Sequence, residues 1–333
     1  MEEKAKKLST ESYKGVRDFY PEDMAVQNYI FSTWRKIVEE SGYVEYSASI
    51  LEYADLYRSK GNDEIVNEQM YTFTDKGDRE VALRPEMTPS LARMIAAKRG
   101  AIGREQGFKL PLRWYSIPNI FRYERPQRGR KREHWQLNCD LMGIPGIEAE
   151  VQIIELAHKI MKAFGAKDED FEIRINSRKT MFEVYQPILR DPSQWTTGEV
   201  PRFLDKRAKM TEEEQKLGNE KYFTRPFNEE DAKKIYNNPY IWKLSETLKS
   251  QGVNVVLDVH LMRGFDYYTD IVFEVFDTNP ENKRSLFGGG RYDNLLEMFG
   301  VEPLPTVGFG MGDITIRDFL ETHKLPLTIS KKL

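Results

Sequence analysis

Cysteine is nearly missing: the chain of 333 residues carries one, Cys139. That excludes a disulfide framework and any multi-cysteine zinc or iron–sulfur site. Histidine is scarce as well, and His134, His158, His260 and His323 are too scattered for a helical metal motif. No stretch approaches the roughly 18–20 apolar residues that a membrane span needs. The opening MEEKAKKLSTES is charged and shows no apolar signal region. We therefore expect a soluble protein of the cytoplasm, without membrane association. An excess of positive charge is also lacking: 50 Lys and Arg against 53 Asp and Glu give a formal net charge of −3. Coating nucleic acid through bulk charge is thereby disfavoured, while a local basic patch stays open. What is present is a globular mixture, 40% hydrophobic and 31% charged, too apolar for disorder. It is long enough for two domains, or for one large domain with an insertion.

Pro21-Glu22-Asp23 opens a helical pattern through Ile30, Phe31, Trp34, Ile37 and Val38, with Gly42 as its stop. Tyr43 to Leu51 reads as a strand, and 58–70, with Gly61-Asn62-Asp63, as a loop. Met70–Phe73 and Glu80–Leu83 flank Asp75-Lys76-Gly77-Asp78, a hairpin signature. Thr88-Pro89 reads as an N-cap with proline at the first helical position. Leu112 to Tyr123 is strand-like with a break at Pro118. Trp135, Leu137, Cys139 and Leu141 alternate with polar neighbours, as in a half-buried strand. Glu148 to Phe164 is amphipathic and helical, and Phe171, Ile173 and Ile175 alternate again. Residues 178–250 are rich in Lys, Glu, Asn and Pro, with two short helical patterns, and read as an inserted helical subdomain. Strand signals resume at Val253–Val259 and Tyr268–Phe276, and Thr306–Met311 runs into a last helix. We expect a core in two parts, 1–177 and 251–333, separated by the insertion 178–250. Hairpin connections argue for an antiparallel α+β sheet over a doubly wound one. There is no internal repeat.

Four segments carry candidate chemistry. Phe121 to Gln136 holds six Arg or Lys and two Glu in sixteen residues, a local +4. Such cations repel unless an anion sits among them, and guanidinium groups fork onto phosphate oxygens. Taken alone, the segment is equally a solvated hairpin. Arg263-Gly-Phe-Asp-Tyr-Tyr-Thr269 suits a positive head facing a pocket, or a turn whose tyrosines pack. In Leu83-Arg-Pro-Glu-Met-Thr88, Glu86 stands at a strand–helix junction. There a carboxylate accepts a ligand ammonium or simply favours the helix N-terminus. Gly288-Gly-Gly-Arg-Tyr-Asp293 and Gly308-Phe-Gly-Met-Gly312 read as glycine turns that let backbone approach a ligand. The second is GxGxG rather than the dinucleotide pattern, and no GxxxxGK[ST] occurs.

Together, LRPEMT, FRYERPQRGR, RGFDYYT and GGGRYD, in that order, resemble the catalytic core of the class II aminoacyl-tRNA synthetases, specifically the histidyl-tRNA synthetase family, from about Tyr13 to Leu325. The resemblance implies a class II antiparallel sheet flanked by helices, a homodimer built on motif 1, ATP with Mg²⁺, L-histidine, and the acceptor end of tRNA(His). It implies a histidine–tRNA ligase that forms histidyl-adenylate and transfers it to tRNA. By residue, Arg122 would hold the α-phosphate, Glu124 the adenine side and Arg130 the γ-phosphate. Glu86, Gln136, Asp140, Tyr268 and Tyr292 would line the histidine pocket, with Thr88 near the amino group. Arg263 would contact both the histidine carboxylate and the α-phosphate. No protein-only metal cluster is expected, because Mg²⁺ would come mainly through ATP.

The sequence departs from the family pattern in three places. Motif 3 usually ends in Gly-Leu-Glu-Arg, and here Gly312-Asp-Ile-Thr315 puts Thr315 in the arginine's place. Arg317, two residues on, lies about 200° around a helix and substitutes poorly. Motif 1 usually carries a proline where Ser49 aligns. The family's C-terminal anticodon-binding domain would begin where this chain stops, which suits a catalytic fragment or a shortened paralogue. The alternative is therefore a histidine-sensing, non-catalytic regulatory subunit of ATP phosphoribosyltransferase. A generic nucleotide-binding α+β protein comes last.

Overall fold

The computed structural model describes residues 8–59, 64–100, 108–207, 210–264, 267–282 and 285–328. Residues 1–7, Gly61-Asn62-Asp63 of the expected loop, and Phe265 and Asp266 of the RGFDYYT segment lie outside the described residues. The elements in chain order begin with α1 (Pro21–Glu40), β1 (Val44–Glu45), β2 (Leu51–Tyr53), α2 (Asp55–Arg58), β3 (Tyr71–Thr74), β4 (Glu80–Leu83) and α3 (Thr88–Gly100). Then come β5 (Leu112–Ser116), β6 (Asn119–Phe121), β7 (Glu133–Met142), α4 (Glu148–Ala163) and β8 (Phe171–Ser177). Helices α5 (Arg178–Tyr185), α6 (Ser193–Thr196), α7 (Glu199–Lys206), α8 (Glu212–Tyr222), α9 (Glu229–Tyr236) and α10 (Pro239–Ser250) follow. The chain ends with β9 (Val255–Leu257), β10 (Ile271–Asp277), β11 (Ser285–Arg291), β12 (Thr306–Gly312) and α11 (Asp313–Thr322).

The α+β expectation holds. The main sheet runs β1-β5-β7-β12-β11-β10-β8-β9, with β6 also on β7. Its interior pairings are antiparallel, as the hairpin signals imply. Both edges differ, because β1 pairs with β5 and β9 with β8 in parallel. A parallel pair needs a long crossover, and residues 46–111 and 178–254 supply the two. One sheet face carries Leu137, Cys139, Leu141, Val307, Phe309, Met311, Phe273 and Val275, which pack beneath α1 and α4 in the main core. Trp34 of α1 reaches Met311 with its indole Nε1–H, 3.0 Å from the sulfur. The opposite face carries α3 and a smaller apolar cluster.

Three local expectations need correction. Tyr43–Leu51 is not one strand: β1 belongs to the main sheet, whereas β2 joins β4 and β3 in a separate three-stranded sheet. Both ends of that run alternate suitably, and nothing local marks the change of partner. Within the expected 58–70 loop, Ile65–Gln69 forms a π-helical turn. The region expected to hold two helical patterns forms α5 to α10, and its Tyr185, Phe203, Phe223, Ile241 and Leu244 belong to the same apolar cluster as the main core. These helices are short, and their capping boxes Thr211–Glu214 and Asn228–Asp231, with Asn238 before Pro239, define them better than periodicity does.

Candidate active site

The first glycine run is a strand, not a turn, and the second lies in the strand expected from Thr306 to Met311. Gly288 to Gly290 lie within β11 and Gly308 to Gly312 within β12, and the two strands pair Gly288 with Gly310 and Gly290 with Gly308. Period-2 alternation puts Gly288, Gly290, Gly308 and Gly310 on the face away from the main core. On that face β7 presents His134, Gln136, Asn138 and Asp140, and β10 presents Val272 and Glu274. The missing side chains make room for others. A Cβ on Gly288 would strike the Arg263 guanidinium, and one on Gly308 would strike the Asp140 carboxylate and lie 2.7 Å from the Tyr292 hydroxyl. A Cβ on Gly310 would lie 2.7 Å from Gln136 Nε2, and one on Gly290 2.9 Å from the Tyr268 ring. A floor without side chains thus lies under five of the residues singled out in the sequence.

Above that floor the groups link in a chain. Asp140 is buried and accepts a hydrogen bond from the Tyr292 hydroxyl. Burial pushes its carboxyl up to about 7, opposed by that hydrogen bond. The half-buried strand expected at β7 is thus buried on both faces along its second half, because its polar side turns to this site rather than to water. Tyr292 meets Tyr267 edge-on, at 5.5 Å between ring centroids, and Tyr267 lies 4.9 Å from Tyr268. The Tyr267 hydroxyl donates to Glu86 Oε2 at 3.4 Å, with the Thr88 hydroxyl beside it at the start of α3. Glu86 is buried, its Oε1 has no hydrogen-bond partner, and burial raises its carboxyl to about 7 against the lowering charge of Arg122. Arg263 lies over the Tyr268 ring at 5.7 Å and bonds Glu274 at 2.8 Å. Arg122 donates Nε to the Pro85 carbonyl at 2.8 Å, next to Glu86, and its charge also acts on His134. Burial drives His134 down to about 3, helped by Arg122 and Arg17, so its imidazole is neutral.

Glu124 and Arg130 form their own pair at 3.5 Å in the basic loop. The chain itself answers much of that loop's charge. Arg128 reaches Asp318 and Thr322 of α11, and the Arg132 guanidinium stacks 3.8 Å over Tyr123. The need for an external anion is weaker than the sequence implies, because α11, and Tyr13 on which Arg132 also rests, are distant in sequence. Arg317 is taken up by Glu321 and Asp23, and the Thr315 hydroxyl donates to the Leu286 carbonyl. Sequence reasoning missed Tyr267, Ser116 and Tyr46. The paired tyrosines were legible, but only one was given to the pocket. Ser116 stands in register with Asn138, and the buried hydroxyls of Ser116 and Tyr46 face each other. No motif marks these two. Among the described residues no cluster of His, Cys, Asp or Glu could hold a metal ion, and no helix is long and apolar enough to cross a membrane.

A family model described as histidyl-tRNA synthetase matches residues 15–208 and 196–313. A histidine–tRNA ligase of Leptospira biflexa is 44% identical over 97% of this chain and 76% of its own length. Among solved structures, one described as an ATP phosphoribosyltransferase regulatory subunit/histidyl-tRNA synthetase from Bacillus halodurans superposes with a TM-score of 0.75. It is 23% identical, over 95% of this chain and 84% of that one. Apo histidyl-tRNA synthetase of S. aureus gives 0.69 at 24% identity, over 98% and 77%. At those identities the two structures speak for the fold alone.

Proposed function

The chain belongs to the histidyl-tRNA synthetase family, and from that premise we propose that it is an aminoacyl-tRNA ligase that activates L-histidine with ATP and transfers it to tRNA(His). Residues 1–177 and 251–333 form the catalytic core and 178–250 the insertion, which contacts the acceptor arm. The protein works in the cytoplasm as a homodimer built on motif 1. The observation that carries the reading is the glycine floor, whose vacated Cβ positions are filled by Arg263, Asp140, Tyr292, Gln136 and Tyr268. Histidine lies on that floor. Its ammonium faces Glu86 and Thr88, and its imidazole faces Asp140, Tyr292, Tyr268 and Gln136. A carboxyl buried with an unpaired oxygen is costly, and a cationic amino group relieves that cost. ATP enters as its magnesium complex. The ion would be bound mainly through ATP and would supply counter-charge.

The histidine carboxylate attacks the α-phosphorus in line, forming the acyl–phosphate bond as the bond to pyrophosphate breaks. That carboxylate is ionised near neutral pH, so no base is needed. Arg263 bridges carboxylate and α-phosphate, Arg122 holds the α-phosphate, Arg130 reaches the γ-phosphate and Glu124 faces the adenine. Their fixed charges oppose the repulsion between two anions and stabilise the charge that builds on the phosphoryl oxygens. A terminal hydroxyl of the tRNA then attacks the acyl carbon and AMP leaves.

The test is histidine-dependent exchange of labelled pyrophosphate into ATP. We expect exchange by the native chain and a loss of about 10³-fold in Arg263→Ala, the scale of a lost phosphoryl-stabilising arginine, with a smaller effect on folding. A near-normal rate in that variant would remove the assigned role. Histidine binding without exchange would favour the second reading, a histidine-sensing regulator. What supports that alternative is Thr315 in the place of the motif 3 arginine, with Arg317 engaged elsewhere.

A further inference from the structure

Glu274 was not among the residues marked in the sequence, yet it holds the guanidinium that the activation step depends on. It stands on β10, opposite Gly288 of β11 on one side and Arg174 of β8 on the other. Its Oε1 accepts from Arg263 Nη1 at 2.8 Å, and the two side chains are 19% and 14% exposed. Gly288 creates the space for both: a Cβ there would overlap Arg263 Nη1 and lie 2.9 Å from Glu274 Cγ. The Tyr268 ring bounds the guanidinium as well. Arg174, the cross-strand neighbour, bonds Glu172 at 2.6 Å and Asp258 at 3.2 Å. Arginine has a long side chain with many rotamers, and a planar fork is useful only if its orientation is set. Held at Nη1, the fork keeps Nε buried and without a hydrogen-bond partner, a donor that an oxyanion would satisfy.

We propose that Glu274 is a positioning residue for the activation step: by anchoring Arg263 at Nη1 it turns the Nε edge toward the carboxylate and phosphate oxygens. This rests on the assignment of Arg263 to that step. The role requires reach more than charge, and that separates it from a purely electrostatic one. Glu274→Gln keeps an oxygen at the same distance, whereas Glu274→Asp keeps the charge but withdraws it from Nη1.

The experiment is pyrophosphate exchange by Glu274→Ala, Glu274→Gln and Glu274→Asp, each also combined with Arg263→Ala, with melting temperatures alongside. We expect Ala and Asp to lose about 10²-fold in kcat, the scale of a misplaced positioning group, and Gln to retain most of the rate. In the Arg263→Ala background we expect no further loss from any of them. A fast Asp with a slow Gln, or an equal loss with and without Arg263, overturns the proposal. If Glu274→Ala does not fold, the Gln and Asp pair decides alone. A native chain that binds histidine without exchange sinks the activation reading instead. The same cycle is then read in histidine affinity, where coupling supports the anchor and additivity overturns it.

Discussion

Replacing Gly308 with alanine puts one methyl group where the site has no room. The added carbon would overlap the Asp140 carboxylate and lie 2.7 Å from both the Tyr292 hydroxyl and the Cys139 carbonyl. The carbonyl belongs to β7, which pairs with β12 in fixed register through Asp140 and Gly308, so it cannot yield without splaying the ladder. Asp140 must turn away, and its hydrogen bond from Tyr292 is lost. Overpacking of this kind costs about 1–3 kcal/mol, and a hydrogen bond to a charged group about 1.5–3 kcal/mol. If about 2–4 kcal/mol of this falls on the bound state, histidine affinity drops about 30- to 1000-fold. Gly312→Ala on the same strand is the control, because its Cβ meets only Thr315 Oγ1, at 3.6 Å. Calorimetric titration with histidine, with thermal unfolding beside it, measures both variants. If Gly308→Ala binds histidine as the native chain does, or if Gly312→Ala is equally impaired, the floor is not where the ligand rests.

Two more predictions concern buried charge. Glu86 and Asp140 are both raised by burial to about 7, so the empty folded protein keeps protons that the unfolded chain releases. These groups therefore make stability fall as pH rises from the ordinary carboxyl range to about 7. Histidine affinity should rise over the same window, because the ammonium needs an ionised Glu86; titrations between about pH 5.5 and 8 should show this, and Glu86→Gln should flatten the profile. An unchanged slope in that variant would refute the pairing. Glu150 grips Arg291 at two points, 2.6 and 2.7 Å, with side-chain exposures of 0% and 4%. Glu150→Ala leaves a buried guanidinium short of its main partner, at about 3–5 kcal/mol, and should lower the melting temperature by about 10 °C; a shift under about 2 °C would show that Asp293 and the carbonyls of Gly146 and Ile144 suffice.

Local signals were enough for much of this molecule. Pro21 and the Ile30–Trp34–Val38 stripe specify α1, the Asp75–Asp78 turn specifies the β3–β4 hairpin, and alternation around Cys139 specifies β7, because each depends on neighbours a few residues away. The order of FRYERPQRGR and RGFDYYT likewise specified the family. Which strands lie side by side was not local. Gly288 looks like a turn residue to anyone reading along the chain, and Gly308 lies in a strand signal whose partner is not marked. They lie on one floor only because β11 and β12 bond each other and the space above them is taken by Arg263, Asp140 and Tyr292. The polar side of β7 reads as facing solvent until α3 and the tyrosine cluster close over it. Composition and spacing determined which chemical groups the chain owns and which short elements carry them. Their convergence on one face was decided by strand pairing and burial, which act between residues far apart in sequence and leave no local trace.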